Sequence, residues 1–268
     1  MRNRLTARQM IDNQTLAEPM LEVLSAMVKG RLNILVSGGK GAGKTTLLNV
    51  LSGYISNDER IVTIEGQDES RIDMKQEHVA RLIARPPNIE GKGATPQRQL
   101  VINSLRMRPD RIVVGEVRGE EVFEVLQAAS AETIGFLSTV YASSARDALS
   151  RIETMISMAN PTYTSEDILR QVASAIHVIV HIARLPDGTR KVLTISEVSG
   201  MEGGAICLED LFVFEPDAPD DGSARVRWRP SAGSLGGSAP PTGPVLVPLR
   251  GGPRTLPPGK ADKIQKRA

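Results

Sequence analysis

Residues Gly38 to Thr45 read GGKGAGKT, and they separate a short apolar run, Ile34 to Val36, from a helix-forming run that opens at Lys44. The pattern is G-x-x-x-x-G-K-[ST]. It constrains the fold more than any other part of the chain, because its chemistry requires a strand before it and a helix after it. Glycine lets the backbone curl until successive N–H groups point at one anion, an approach that a Cβ would obstruct. The helix that follows adds the partial positive charge of its N-terminus. The spacing predicts a phosphate cradle made of Gly38, Gly39, Lys40, Gly41, Ala42, Gly43, Lys44, Thr45 and Thr46. In such a cradle Lys44 meets the β- and γ-phosphates as a point charge, and the Thr45 hydroxyl is a Mg²⁺ ligand. The competing explanation is an ordinary glycine-rich turn.

Around this loop the chain alternates. Apolar runs at RLNILVS, RIVTIE, HVARLIA, DRIVVGE, GFLSTVYAS and HVIVHIARL read as strands. Helical spacing appears in AEPMLEVLSAMVKG, TPQRQLVINSLRM, GEEVFEVLQAAS, SARDALSRIETMIS and SEDILRQVASA. The helical run TPQRQLVINSLRM opens at Thr95-Pro96, which reads as a capping pair. Alternation of this kind predicts an α/β fold with a mostly parallel sheet covered on both faces. KVLTISEVS and LEDLFVFE follow without intervening helices, so they predict an antiparallel C-terminal extension.

Residues 216–268 are different: they hold ten Pro and eight Gly in 53 positions. That exceeds the level of about 25–30% that marks low-complexity chain. The expected division is a folded domain over 1–215 and a disordered tail over 216–268. The tail carries nine Lys/Arg against four Asp, +5, so the net +2 leaves −3 on residues 1–215. The body therefore does not advertise nucleic-acid binding through bulk charge. The lone Cys207 excludes an internal disulfide. The sequence shows no leader-like apolar segment and no apolar run of membrane-spanning length, which predicts a soluble or peripheral protein.

A cradle alone binds; hydrolysis needs carboxylates at neighbouring strand ends. RIVVGE places Glu116 at such an end, where it could serve Mg²⁺ through water. It would equally suit the first turn of the next helix. IVTIEGQDES places Glu65, Asp68 and Glu69 at another strand end, where one could polarise water. A solvated acidic loop is the alternative there.

Taken in order, RLNILVSGGKGAGKTTLLNVLS, RIVTIEGQDE, VARLIARPPNIEGKG, LRMRPDRIVVGEVRGEEVFEVLQA and RDALSRIETMISMA resemble the motor domain of the type II/type IV secretion ATPase superfamily. The nearest likeness is to the CpaF/TadA branch of tight-adherence (Flp) pilus assembly, and it covers about Leu5 to Val198. The resemblance implies a RecA-like P-loop NTPase core using ATP and Mg²⁺. It implies a cytoplasmic, ring-shaped hexamer in peripheral contact with an inner-membrane platform; the expectation of no nucleic-acid partner rests on the body's charge. It makes Gly38 to Thr46 the Walker A loop, Glu116 the Walker B carboxylate and metal-side residue with Thr45, and Glu65 to Glu69 the acidic box. Arg118 is implied as a charge sensor at the γ-phosphate, with Arg81, Arg85, Arg106 and Arg108 as further candidates; ordinary surface charges are the alternative for each.

The sequence also departs from that family. Gly66 stands where the acidic box usually has Asp, and SAETIGF replaces a glycine-rich turn. TVYAS replaces Thr-Ile-His-Ala-Asn, so Tyr141 takes the imidazole position and Ser143 the Asn position. Tyr keeps its proton at neutral pH and cannot be cationic. The family has an upstream domain that closes the cleft, and this sequence starts about one helix before the first motor strand. Two expectations follow: a Mg²⁺-dependent ATPase motor, or a nucleotide-binding regulatory paralogue with weak or no turnover. A DNA motor or transporter ATPase is a third class, which the body's −3 charge disfavours.

Overall fold

The computed structural model of the chain describes residues 5–67, 69, 71–130, 134–216, 223–228 and 243–248. Asp68 lies outside them. In chain order the elements are α1 (Ala7–Asp12), α2 (Glu18–Lys29), β1 (Ile34–Gly38), α3 (Lys44–Ser52), β2 (Ile61–Glu65), β3 (Val79–Ile83), α4 (Gln97–Leu105), β4 (Arg111–Val117) and α5 (Glu121–Ala129). They continue with β5 (Gly135–Tyr141), α6 (Ala145–Ala159), α7 (Ser165–Ala175), β6 (Val178–Arg184), β7 (Arg190–Glu202), β8 (Ala205–Pro216), β9 (Ser223–Trp228) and β10 (Gly243–Pro248).

All ten strands form one sheet in the order β10-β9-β8-β7-β6-β1-β5-β4-β2-β3. From β6 to β3 the pairings are parallel, and from β6 outward to β10 they are antiparallel. The parallel half has helices on both faces. Ile34 and Val36 belong to one core, with Met20, Leu24, Leu47 and Leu51 of α2 and α3. Leu35 points to the other, with Val122, Leu126, Ile152 and Val172 of α5, α6 and α7. This two-sided burial is why β1 is continuously apolar up to Ser37 rather than alternating. With few aromatic side chains, both cores are built chiefly of Leu, Ile, Val, Ala and Met.

One local reading needs correction. Thr95 does not cap α4: the cap position is Pro96, and no side chain serves it. Thr95 instead makes a reciprocal backbone bridge with Arg85, closing the RPPNIEGKG segment at its base. Within 216–268 the described residues are Pro216, which ends β8, and β9 and β10, which continue the antiparallel edge; the other residues of that stretch lie outside those described.

Because six strands run the same way, their C-terminal ends share one edge of the sheet, where ligands of open α/β sheets bind. The opposite edge is held by a buried ion pair. Arg111, fully buried at the start of β4, donates from Nε to Glu59 Oε2 at 2.6 Å and from Nη2 to the Val28 carbonyl at 2.6 Å. Arg31 adds a second cation to Glu59 at 3.2 Å. Gly135 lies against the guanidinium with no room for a Cβ. Removing one member of a buried pair leaves the other charged and unmatched, which costs about 3–5 kcal/mol. Arg111→Ala should therefore lower the unfolding free energy by about that amount in urea titration, and a loss under about 1 kcal/mol would show the pair to be dispensable.

Candidate functional site

The loop that follows β1 is shaped by two requirements on its glycines. Gly38 faces the main-chain carbonyl of Ile182 on β6 so closely that a Cβ has no space. Gly41 and Gly43 have φ of +73° and +104°, a region that suits only glycine without strain. Gly43 is the N-cap of α3, and no side chain caps that helix end among the described residues. The first-turn N–H groups are thus left for a ligand, and the space beside Gly39 and Gly41 is open.

Lys44 reaches back over this loop. Its Nζ donates to the Gly39 carbonyl at 3.2 Å and pairs with Glu116 Oε1 at 3.2 Å. Both side chains are mostly enclosed, 10% and 16% exposed. Glu116 arrives there through an irregularity in β4. The β4–β5 register shifts between Val114 and Val117, so both valines enter one core although three residues apart. A bulge of this kind re-aims the side chain within it. Thr139 Oγ1 donates to the Gly115 carbonyl at 2.8 Å beside it.

Behind Glu116 stands a second charged layer. Arg118 Nε donates to Glu116 Oε2 at 2.6 Å, and its Nη2 lies 3.8 Å from Glu69 Oε1. The Glu69 carboxylate fills the space over Gly115 that a Cβ would need. Its Oε2 is buried with no hydrogen-bond partner among the described residues. Burial raises the Glu69 carboxyl above the ordinary glutamate value, helped by the charges of Glu116 and Glu65; a Gly66 backbone hydrogen bond and Arg118 pull the other way. Glu65 has a different part. Its Oε2 accepts from the Ile72 N–H at 3.1 Å, and Arg81 Nη1 lies 3.9 Å from its Oε1, so it anchors the chain leaving the acidic loop.

The sequence-derived residues are therefore unequally placed. Lys44, Glu116, Arg118 and Glu69 converge, and Thr45 and Thr46 open α3 beside them. Lys40 is exposed on the loop, and Ala42 is buried in the core beneath it. Arg81 spends its guanidinium on the Ile72 and Met74 carbonyls. Arg85 is exposed near the RPPNIEGKG base. Arg106 and Arg108 precede β4 and sit at the opposite sheet edge, so within their own chain they do not meet this cluster.

The contacts of the residues at the departures from the family pattern, and of the strand beneath the loop, carried no sequence signal. Tyr141, paired in register with Gly38, lies between two cations: Lys44 Nζ is 5.6 Å from its ring centre and the Arg151 guanidinium 4.9 Å. Ser143 is held by Asp147, to which both its N–H and its hydroxyl donate. Under the loop, Ser37 and His181 Nδ1 are 2.9 Å apart and buried.

A RecA-like P-loop NTPase fold is what this arrangement of sheet, loop and carboxylate defines. Within it, the chain belongs to the type II/IV secretion system protein family, whose family model matches residues 1–211. It is 40% identical to the type IV secretion system protein PtlH of Bordetella pertussis over 169 residues, 61% of this chain and 48% of that one. A Mycobacterium tuberculosis relative bearing a conjugal transfer name is also 40% identical, over 181 residues, 68% of this chain and 50% of the relative. The crystal structure of the VirB11 ATPase from the Brucella suis type IV secretion system, in complex with sulphate, shares the fold with a TM-score of 0.60 at 24% identity. That match covers 68% of this chain and 54% of the other. The chain spans about half the length of the curated relatives it matches.

The histidines under the sheet make a pH prediction. Burial holds His181 and His177 below the usual histidine value, against weaker opposing effects of Asp147 and Glu197. His177 Nδ1 also accepts the Asn33 N–H, which only an unprotonated nitrogen can do. The unfolded chain then takes up protons first, so stability is complete above about pH 6.5 and falls as pH drops toward the folded values. Each histidine contributes a slope of at most about 1.4 kcal/mol per pH unit. His181→Gln should flatten the stability profile between about pH 6.5 and 5 in chemical denaturation; an unchanged slope would mean His181 does not titrate with unfolding.

Proposed function

We propose that this chain is the ATP-binding and ATP-hydrolysing motor segment of a type IV or type II secretion or pilus-assembly machine, dependent on Mg²⁺. The observation that carries the reading is the 3.2 Å contact between Lys44 of the glycine loop and Glu116 of β4, backed by Arg118 and Glu69. Loop, cation and carboxylate are the parts phosphoryl transfer needs, since its catalysis is mainly positioning and charge neutralisation.

The donor set suits Mg²⁺. No group of three or more His, Cys, Asp or Glu able to hold a metal exists among the described residues. Mg²⁺ typically takes one or two protein oxygens and completes its shell with water and phosphate. The Thr45 hydroxyl and Glu116 would hold it, and bound there it would supply charge neutralisation for the phosphoryl group. The loop N–H groups bind the phosphate chain. Lys44 exchanges Glu116 and the Gly39 carbonyl for phosphate oxygens. Glu69, with its raised proton affinity and unpartnered Oε2, orients the attacking water and accepts its proton. Arg118, tethered to Glu116 but largely exposed, is placed to neutralise the γ-phosphate.

The names of the relatives support a secretion or conjugal-transfer setting. The tight-adherence branch rests on RPPNIEGKG and LRMRPDRIVVGEVRG alone. No helix among the described residues is long and apolar enough to cross a membrane, which suits a cytoplasmic subunit in peripheral contact with an inner-membrane platform. The same setting implies assembly as a ring-shaped hexamer. A second reading, binding with little turnover, is favoured by one feature: Tyr141 occupies the imidazole position with Lys44 and Arg151 against its ring.

Steady-state phosphate release and equilibrium ATP binding separate the two readings. Lys44→Ala should weaken MgATP binding at least about tenfold, and chelating Mg²⁺ should stop turnover. Glu116→Gln should lower kcat by roughly 10²–10³ with ATP still bound. Tight binding with phosphate release that Glu116→Gln does not alter would leave the binding-only reading standing.

A further inference from the structure

On the flank of the loop away from Glu116, the neighbouring strands are β6 and β7, joined by a tight turn at Pro186 to Gly188. Arg190, the first residue of β7, lies across the glycine loop. Its Nε donates to the Gly41 carbonyl at 3.0 Å. Its Cδ comes within 3.1 Å of where a Cβ on Gly43 would sit, so the side chain occupies the space that glycine leaves free. The arm is itself anchored at the next two residues: buried Lys191 donates from Nζ to the Gln14 carbonyl at 2.6 Å, and the Val192 N–H donates to the Thr15 carbonyl at 2.7 Å.

We infer that Arg190 is a positioning residue for nucleotide binding, a brace that holds the phosphate loop in its binding shape before the nucleotide arrives; this rests on the function proposed above. The loop from Gly38 to Gly43 contains four glycines, so it has more backbone freedom to lose on closing round an anion than six residues of ordinary composition. A peptide group has its carbonyl and its N–H on opposite sides. Pinning the Gly41 carbonyl outward, on Arg190, fixes the Gly41–Ala42 peptide plane with its N–H turned the other way. Packing along Gly43 then limits the second left-handed glycine. Both contacts come from one side chain that reaches the loop from outside the cradle, and neither requires it to touch a phosphate. A brace of this kind lowers the ordering cost of binding and acts equally on ground and transition states.

The geometry of the side chain supplies the test. Glutamine has its Nε2 at the same bond count from Cβ as the arginine Nε, so Arg190→Gln keeps the donor to Gly41 and removes the charge. Arg190→Met keeps the packing and removes the donor. Two measurements on the full chain are compared: amide hydrogen exchange of the peptide covering 38–46 without nucleotide, and MgADP affinity by titration. Arg190→Met should speed exchange in the loop and weaken MgADP about tenfold, and should raise KM for ATP with kcat unchanged. Arg190→Gln should recover most of both effects. Unchanged exchange and affinity in Arg190→Met overturn the brace, as does an Arg190→Gln chain as impaired as the methionine one, which would make Arg190 a charge contact instead. If the unaltered chain binds no MgADP, the function proposed above falls, while the exchange comparison still decides whether Arg190 orders the loop.

Discussion

Lys44 and Glu116 hold opposite charges 3.2 Å apart in a largely enclosed space, and the rest of the site is arranged to keep them within reach. A lone charge in that setting would be costly, so each satisfies the other when no ligand is present. The pair also bridges two elements, the helix that follows the glycine loop and the strand that presents the carboxylate. Under the proposed function, a triphosphate with its cation would offer both groups better partners than each other. Ligand binding is then an exchange of ion pairs rather than the creation of new charge in a dry cleft.

The two halves of the sheet divide the labour around that pair. The parallel half brings β1, β4 and β2 to one edge, where Lys44, Glu116 and the acidic loop meet. Glu69 replaces a missing side chain with its own: it leans into the gap over Gly115, where its burial raises its affinity for a proton. The antiparallel half supplies the far wall through β6 and β7, including the Ile182 carbonyl against Gly38 and the Arg190 arm over Gly41. The extension that follows the last crossover is therefore part of how the loop is shaped.

Much of this was legible in the sequence because its causes are local. A glycine loop between an apolar run and a helix, continuous apolar strands and regular helical spacing each announce themselves within about ten residues. What stayed hidden depends on partners far away in the chain. Glu116 reads as the end of a plain strand, and only the register shift against β5 shows how it turns toward Lys44. Thr95 has the look of a cap, but a backbone bridge to Arg85 claims its peptide group and leaves the cap position to Pro96. Glu65 and Glu69 are equivalent in composition and differ in role because one meets the Ile72 N–H and the other an empty space over a glycine. Over residues 216–268 no apolar periodicity marks β9 or β10, because backbone pairing alone joins them to the sheet edge.

The closeness of Gly38 to β6 has a kinetic meaning. Ser37 and His181, one step from that contact, are 144 residues apart in sequence. The glycine motif is complete once the first fifty residues exist, but its wall is not, because β6 must first travel back and align beside β1. Long-range parallel pairing of this sort is slow to form. A growing or partly folded chain would therefore carry the signature of the pocket well before it possessed the pocket, and the nucleotide affinity proposed for it would appear late, as a sign that the two ends of the domain had found each other.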